Sequence, residues 1–239
     1  MQPVLRQLGA PSSRRLFSSG LSLHEAAKQV KLMNVSCHDE TINIAIRLNV
    51  DPRKPNQSVR GSVVLPNGLG KKVAVAVFAR GPAAEDAKSA GADFVGDDDL
   101  VARITEGAIS FDKCICTPEM LGVVGKVARI LGPRGLMPNV KVGTICSNVG
   151  EAVRSAKQGQ VEFRAEKQGI VHGPLAKCSF TLEQIQENIN KFVDAVQEAK
   201  PSGAKGAYVR SAVLVATRGH SVDLDISVTP FAVRKAYRR

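Results

Sequence analysis

Residues 71–79 read KKVAVAVFA, and this short segment decides how the chain is organised. After two lysines it is apolar without interruption, which is typical of a parallel strand covered by helices on both faces. The earlier segment ETINIAIRLNV at 40–50 differs, because Ile42, Ile44 and Ile46 alternate with small or polar residues. That alternation indicates a strand with one buried face. The change between the two patterns predicts two different structural units in one chain.

The segment after residue 79 alternates predicted helices with predicted strands. Short apolar runs that indicate strands are ADFVG (92–96) and FDKCICTP (111–118), with helical patterns between and after them. Strand–helix alternation of this kind is the signature of a wound parallel α/β unit. The predicted helices are PAAEDAKSAGA (82–92), DDDLVARITEG (97–107), EMLGVVGKVARIL (119–131) and SNVGEAVRSAKQGQ (147–160), the last capped by Ser147 or Asn148.

The two flanks of the chain predict a different, α+β unit. SLHEAAKQVKLMN (22–34) and FTLEQIQENINKFVDAVQEAK (180–200) have amphipathic helical patterns, with Ser22 and Thr181 as caps. VEFRAEKQGIVHGPL (161–175) indicates two strands around a hairpin turn at Gln168-Gly169. Further strands are predicted in VRGSVVLP (59–66), AYVRSAVLVAT (207–217) and HSVDLDISV (220–228).

These patterns predict an α/β protein of two domains. Domain I is a split α+β domain built from both chain ends, residues 21–70 plus 159–239. Domain II is an inserted three-layer Rossmann-like α/β domain, residues 71–158. The joints PNGLG (66–70) and KQGQ (157–160) contain glycine, and we expect Gly68, Gly70 and Gly159 to form a hinge.

The charge of the chain favours a polyanionic partner. The net charge is +11 and the pI about 9.7, and cationic proteins gain affinity for nucleic acids through counterion release. Aromatic residues make up 4% and Trp is absent, which argues against stacking on single strands and favours a folded RNA. Residues 1–68 carry nine basic and four acidic side chains, residues 69–160 twelve and ten, and residues 161–239 twelve and eight. The flanks therefore hold most of the excess charge.

The sequence offers no pattern for catalysis, a metal or a cofactor. The loop GPRGLMP (132–138) has neither GxxxxGK[ST] nor GxGxxG, and its glycines follow a helix instead of preceding one. Its Arg134 could hold an internal carboxylate or touch RNA. Asp97, Asp98 and Asp99 suit a helix start. The four histidines have no triad spacing, and the five cysteines contain no CxxC pair, which indicates reduced, mostly buried thiols.

The amino terminus has the composition of a targeting sequence. Residues 1–20 contain three arginines and several serines, and no acidic residue occurs before Glu25. Arg-rich, Ser-rich, acid-poor composition is typical of an organelle transit peptide. RRLFSS (14–19) is similar to a mitochondrial processing site with cleavage after Phe17. We expect import into a mitochondrion, with a plastid as the alternative; a disordered basic tail is the other interpretation of this segment.

Several segments give the chain a resemblance to a known family. Taken in order, they resemble the ribosomal large-subunit protein L-one family, the protein of the mobile side stalk, in its bacterial type as found in organelles. The resemblance implies the two-domain fold described above, no catalysis and no cofactor. The segments are DET (39–41), DPRK (51–54), VRGSVVLPNGLGK (59–71), AGADFVG (90–96), ILGPRGLMPN (130–139), VEFRAEKQGIVH (161–172) and KPSGAKGAYVRS (200–211).

The resemblance also implies which residues bind rRNA, all of them in domain I. Composition and spacing alone would not separate these residues from other solvated surface residues. Two positions depart from the family pattern, because His38 stands where Phe is usual and Arg218 where Met is usual. The implied residues are His38, Asp39, Thr41, Arg53, Arg164, Lys167, Ser211, Thr217, Arg218 and Gly219.

The function expected from the resemblance is structural. The protein would bind large-subunit rRNA of the side stalk as a monomer within the ribosome and assist release of deacylated tRNA from the exit site. A free translational repressor that binds messenger RNA is the alternative. A nucleotide-dependent α/β enzyme is an alternative of another class, which the missing glycine fingerprint disfavours. The sequence contains no apolar run long enough to span a membrane.

Overall fold

The structure is a computed structural model that describes residues 20–33, 38–107, 109–204 and 206–226. Residues 1–19 of the predicted targeting segment and Cys37 lie outside the described residues. The helices are α1 Leu23–Leu32, α2 Pro82–Ser89, α3 Asp98–Thr105, α4 Leu121–Lys126, α5 Ala128–Leu131, α6 Val149–Lys157 and α7 Leu182–Glu198. The strands are β1 Thr41–Leu48, β2 Arg60–Val64, β3 Val75–Phe78, β4 Phe94–Gly96, β5 Lys113–Cys116, β6 Gln160–Arg164, β7 Ile170–Lys177, β8 Val209–Ala216 and β9 Ser221–Leu224.

An antiparallel sheet in the order β7-β1-β8-β9 forms the centre of the first unit. Ile42, Ile44 and Ile46 of β1 are fully buried on one face, beneath α1 and α7, as their alternation predicts. Each such side chain contributes about 1.5–3 kcal/mol when removed from water. Ser22 caps α1 and Thr181 caps α7, as predicted. The structure adds that Thr181 and Gln184 form a complete capping box. The helices cover only one face of the sheet, and the residues of β1 on the other face are half-buried or exposed.

The sequence predicts a hairpin around Gln168-Gly169, and this prediction is wrong about which strands pair. The turn is present, with Gly169 at φ 73°, but β6 pairs with β2 instead of β7. Between β6 and β7 only one bridge forms, Ala165 with Val171. The two strands therefore diverge into different sheets, because β6 finds its antiparallel partner far away in sequence. This pairing produces the two-stranded β2–β6 ribbon.

The second unit contains a parallel sheet in the order β4-β3-β5. All four residues of β3 are buried, as its continuous apolar character predicts. Helices α2 and α6 share one apolar core with this sheet, and α3, α4 and α5 share another on the opposite face. This is the helix–sheet–helix layering expected of the α/β unit.

Two details of this unit differ from the sequence prediction. The single helix predicted over 119–131 is broken: a 3₁₀ turn at Pro118–Met120 leads into α4, and Val127 leaves helical geometry with φ −102° and ψ 6° before α5. Gly122 and Gly125 lower the helix propensity of this segment, which explains why a break is tolerated. Asn148 precedes α6, but its side chain accepts no capping bond, and Ser147 is not the cap.

The chain passes between the units at a close contact of two glycines. Gly159 has φ 102°, and a Cβ added there would lie 2.6 Å from the Cα atom of Gly68. Gly68 and Gly70 also have positive φ, 64° and 67°. The buried Asn188 of α7 holds this crossing, because its amide donates to the carbonyl of Gly68 at 3.1 Å and to that of Leu175 at 2.8 Å. The domain limits at 70/71 and 158/159 stay a prediction, which limited proteolysis would test.

Polar contacts also join the two units beside this crossing. The carbonyl of Val142 accepts from Ser62 Oγ at 2.9 Å and from Gln160 Nε2 at 3.2 Å. Lys113 donates to the carbonyl of Gln160 at 2.6 Å. Burial lowers the pKa of Lys113, and the charge of Glu162 opposes that effect. The β2–β6 ribbon is therefore the part of the first unit that contacts the second.

The environments of the described cysteines and acidic residues indicate structural roles. Cys114, Cys116 and Cys178 are buried, Cys146 is half-buried, and none of these four forms a disulfide, as predicted. Burial raises the pKa of Cys116 to about 11, which disfavours the reactive thiolate. Across the described ranges, His, Cys, Asp and Glu form no group that could hold a metal ion. Among the helices of those ranges, none has both the length and the apolar character needed to cross a membrane.

Candidate nucleic-acid interface

The candidate interface is the face of the four-stranded sheet that α1 and α7 leave uncovered. Along β1 the residues that alternate with the buried isoleucines point to this face, from Thr41 at one end to Arg47 at the other, and they are half-buried or exposed. Strand β8 lies beside β1 and places Ser211 opposite Arg47 and Val215 opposite Asn43. Six residues of strand separate Thr41 from Arg47, about 20 Å. The face is thus long enough to meet RNA at two separate points.

One group of predicted residues meets at the Thr41 end of this face. The hydroxyl of Thr217 donates to the carbonyl of Thr41 at 3.0 Å, and the Thr217 amide donates to the same oxygen at 3.1 Å. Thr217 and Arg218 are exposed. A cavity of about 300 Å³ lies between them and three other predicted residues, His38, Asp39 and Thr41. Gly219 follows in the same turn, where its amide donates to the carbonyl of Ala216 at 3.0 Å.

The acidic side chains at this end are occupied by internal hydrogen bonds. The carboxylate of Asp39 accepts from the amide of Ser179 at 3.0 Å and from its hydroxyl at 2.9 Å. Glu40 is only 8% exposed and accepts from the amide of Arg218 at 3.4 Å. Asp39 therefore serves to position the loop, and a phosphate would meet Arg218 with little competition from carboxylates.

A second group of predicted residues meets at the other end of the face. Arg53, Arg164 and Lys167 line a concavity of about 920 Å³ together with Glu166 and His172. Arg53 comes from the loop after β1, and Arg164 ends β6. Three cations in a surface concavity suit the bidentate and point-charge recognition of phosphates. Nine of the ten predicted residues thus form two groups at opposite ends of one sheet face, and Ser211 lines neither cavity.

Sequence reasoning missed several polar residues of this face. Asn43 lies on it between the two groups, His172 lines the larger cavity, and Lys177 lines the smaller one. Lys177 also donates to the carbonyl of Asp39 at 3.0 Å. The alternation in β1 is a sequence signal that could have identified Asn43. The residues between the isoleucines all point to the face opposite the buried one, and Asn43 is one of them.

The Arg134 loop follows α5 in the second unit. Arg134 is exposed and forms no ion pair with any carboxylate of the described residues. The internal role weighed for Arg134 from the sequence is therefore wrong. The nearby acidic run does start a helix as predicted, since α3 begins at Asp98, and Asp97 pairs with Arg80.

A sheet face free of helices, with one cavity at each of its two ends, suits a protein that binds structured RNA by shape and phosphate contacts. The model of the Ribosomal protein L1p/L10e family matches residues 27–220, from α1 to the turn before β9, and the chain belongs to this family. The match confirms the resemblance to this family and the α/β fold class predicted from the sequence, and the bacterial, organellar type stays a prediction. Proteins of this family are structural, rRNA-binding constituents of the large ribosomal subunit and are not enzymes.

Proposed function

We propose that the chain binds the rRNA of the mobile side stalk through the open sheet face and assists the release of deacylated tRNA from the exit site. The observation that carries this proposal is the placement of the predicted residues at the two ends of one uncovered face. A face of that form can hold a folded RNA at both ends, which fixes its orientation. Phosphate contacts of this kind position an RNA, and contacts to bases and 2′-hydroxyls add selectivity.

The second unit moves relative to the first during this process. Gly68, Gly70 and Gly159, with their positive φ angles, form the hinge in this proposal. The hydrogen bonds of the Val142 carbonyl and of Lys113 join the two units in the structure. Few hydrogen bonds would have to break for the units to separate, which suits a stalk that swings with each departing tRNA.

Binding to a stalk rRNA fragment, measured by filter binding at several salt concentrations, tests this function. Thr217→Val removes the hydroxyl but keeps the backbone bond to Thr41, and we expect about a tenfold loss of affinity. Arg164→Gln should lower the slope of log K against log[salt] by about 0.9. Arg103→Gln, an exposed change in α3 with the same loss of charge, is the matched control. Unchanged affinity in both site variants would reject the assignment.

We further propose that the protein acts in the mitochondrial ribosome after removal of its amino-terminal segment. The support is the arginine- and serine-rich composition of residues 1–20. Imaging of a tagged chain together with sequencing of the mature amino terminus tests this proposal. An intact Met1 on a cytosolic protein would contradict it, and a plastid signal would select the alternative compartment.

A further inference from the structure

We propose that Arg47, Lys54 and Arg210 form an additional phosphate-binding subsite of the RNA interface. These three residues line a cavity of about 570 Å³ beside the larger basic concavity, and Gln168 lines both. None of the three belongs to the residues implied by the family resemblance. The proposal rests on the proposed function, because it extends the same RNA footprint.

A β-bulge directs Arg210 into this cavity. The pairing of β1 with β8 passes from Arg47–Ser211 directly to Leu48–Val209, which leaves Arg210 as the extra residue of the bulged strand. Bulges are found beside functional sites, where they redirect one side chain. Here the bulge brings Arg210 to the cavity that Arg47 of the neighbouring strand also lines. Arg210 is further held by a hydrogen bond from its guanidinium to Asn49.

The loop that carries Lys54 is fixed in place by Gln57. The side chain of Gln57 accepts from the amide of Asp51 at 2.8 Å and donates to the carbonyl of Gly203 at 3.1 Å. Lys54 itself donates its amide to the carbonyl of Asp51 at 3.0 Å. The loop is therefore fixed by hydrogen bonds within itself and by one hydrogen bond to the segment before β8. A preorganised loop loses less conformational entropy when it binds a ligand.

The charge of this cavity selects an anion. Arg47, Lys54 and Arg210 form no ion pair with a carboxylate in the described parts of the chain. The single carboxylate in the lining is Asp51, and it accepts from the amide of Arg53 at 3.2 Å. Three cations against one carboxylate leave the cavity with a net positive charge, which attracts the phosphates of an RNA backbone. Two guanidiniums permit bidentate phosphate contacts.

The position of the subsite indicates how it contributes. It lies at the Arg47 end of the open face and is continuous with the concavity of Arg53 and Arg164 through Gln168. The Thr41–Thr217 group lies about 20 Å away at the opposite end. The ligand at the subsite is therefore the sugar–phosphate backbone of a second segment of the same folded RNA, held at a distance from the segment at Thr217.

The salt dependence of binding to the stalk rRNA fragment tests the subsite. We expect the Arg47→Gln/Arg210→Gln variant to bind about 10- to 100-fold more weakly and its salt slope to fall by about 1.8, since each phosphate contact contributes about 0.9. Lys88→Gln/Arg103→Gln, exposed changes on α2 and α3, has the same change in net charge and should leave the slope unchanged. Equal losses in both double variants would show an effect of net charge alone and would overturn the proposal.

A single exposed substitution keeps the test independent of folding. Lys54→Gln lies outside the strands and should lower the slope by about 0.9, with an unchanged thermal unfolding midpoint. A slope equal to that of the unsubstituted protein would overturn the subsite. If the unsubstituted protein fails to bind the fragment, the proposed function itself fails. If Thr217→Val weakens binding and the subsite variants do not, only the further inference fails.

Discussion

Gly159→Ala tests the close crossing of the chain between the two units. Gly159 has φ 102°, and the new Cβ would lie 2.6 Å from Gly68 Cα and 3.1 Å from the amide nitrogen of Leu69. The positive φ costs a residue with a side chain about 1–2 kcal/mol, and a clash with backbone that cannot rotate away adds about 1–3 kcal/mol. We expect a total loss of about 2–5 kcal/mol in the free energy of unfolding.

The matched control separates the two contributions. Gly107 has a similar φ of 88°, and a Cβ there would meet nothing within 4 Å, so Gly107→Ala should lose only about 1–2 kcal/mol. For a chain of this length each kcal/mol corresponds to about 2–4 °C in the thermal midpoint. Circular dichroism during heating and in urea measures both variants. Equal losses for the two substitutions would refute the close contact at Gly159.

Three further measurements test other parts of the structure. Asn188→Leu should lower the free energy of unfolding in urea by about 2–4 kcal/mol, because it leaves buried backbone groups without partners. The exposed control Asn190→Leu on the same helix should stay within about 0.5 kcal/mol of the unsubstituted protein. Equal effects of the two substitutions would contradict the buried hydrogen-bond network. Iodoacetamide at pH 8 should label the half-buried Cys146 before Cys114, whose pKa burial raises further, and peptide mass mapping that finds the reverse order would count against this packing. Burial lowers the pKa of Lys113 below its ordinary 10.5, so between the two pKa values the unfolded chain binds a proton that the folded chain has lost. Stability should therefore rise as the pH increases toward 10.5. Lys113→Met should flatten this rise in urea titrations, and parallel stability curves for the variant and the unsubstituted protein would disprove the explanation.

Local sequence patterns predicted the elements whose burial or boundaries are determined by their own residues. The alternation of isoleucines in β1 required a half-covered sheet, the apolar run of β3 required cover on both faces, and Thr181 marked the start of α7. The break between α4 and α5 escaped prediction because the apolar spacing continues through it. The partner of β6 also escaped, because periodicity identifies a strand without naming the strand beside it.

The candidate site could be predicted from local sequence even less than the fold, because long-range structure brings its residues together. Thr41 and Thr217 are 176 residues apart in sequence and meet only because β1 and β8 are neighbours. Their joint appearance among the predicted residues came from the family resemblance and not from spacing. The position of Arg210 in a bulge depends on the register between two strands, which no local pattern contains. Its role beside Arg47 could therefore be recognised only in the structure.

The β2–β6 ribbon has a consequence for the order in which the protein folds. Val64 and Gln160 are direct partners although the whole α/β unit lies between them. Closing a flexible loop of that length costs about 2 kcal/mol more than closing one of ten residues. Early folding of the parallel-sheet unit brings the two strands together and removes this entropic barrier. We therefore expect lesions in that unit to slow the assembly of the first unit, to which the parallel-sheet unit contributes no residue.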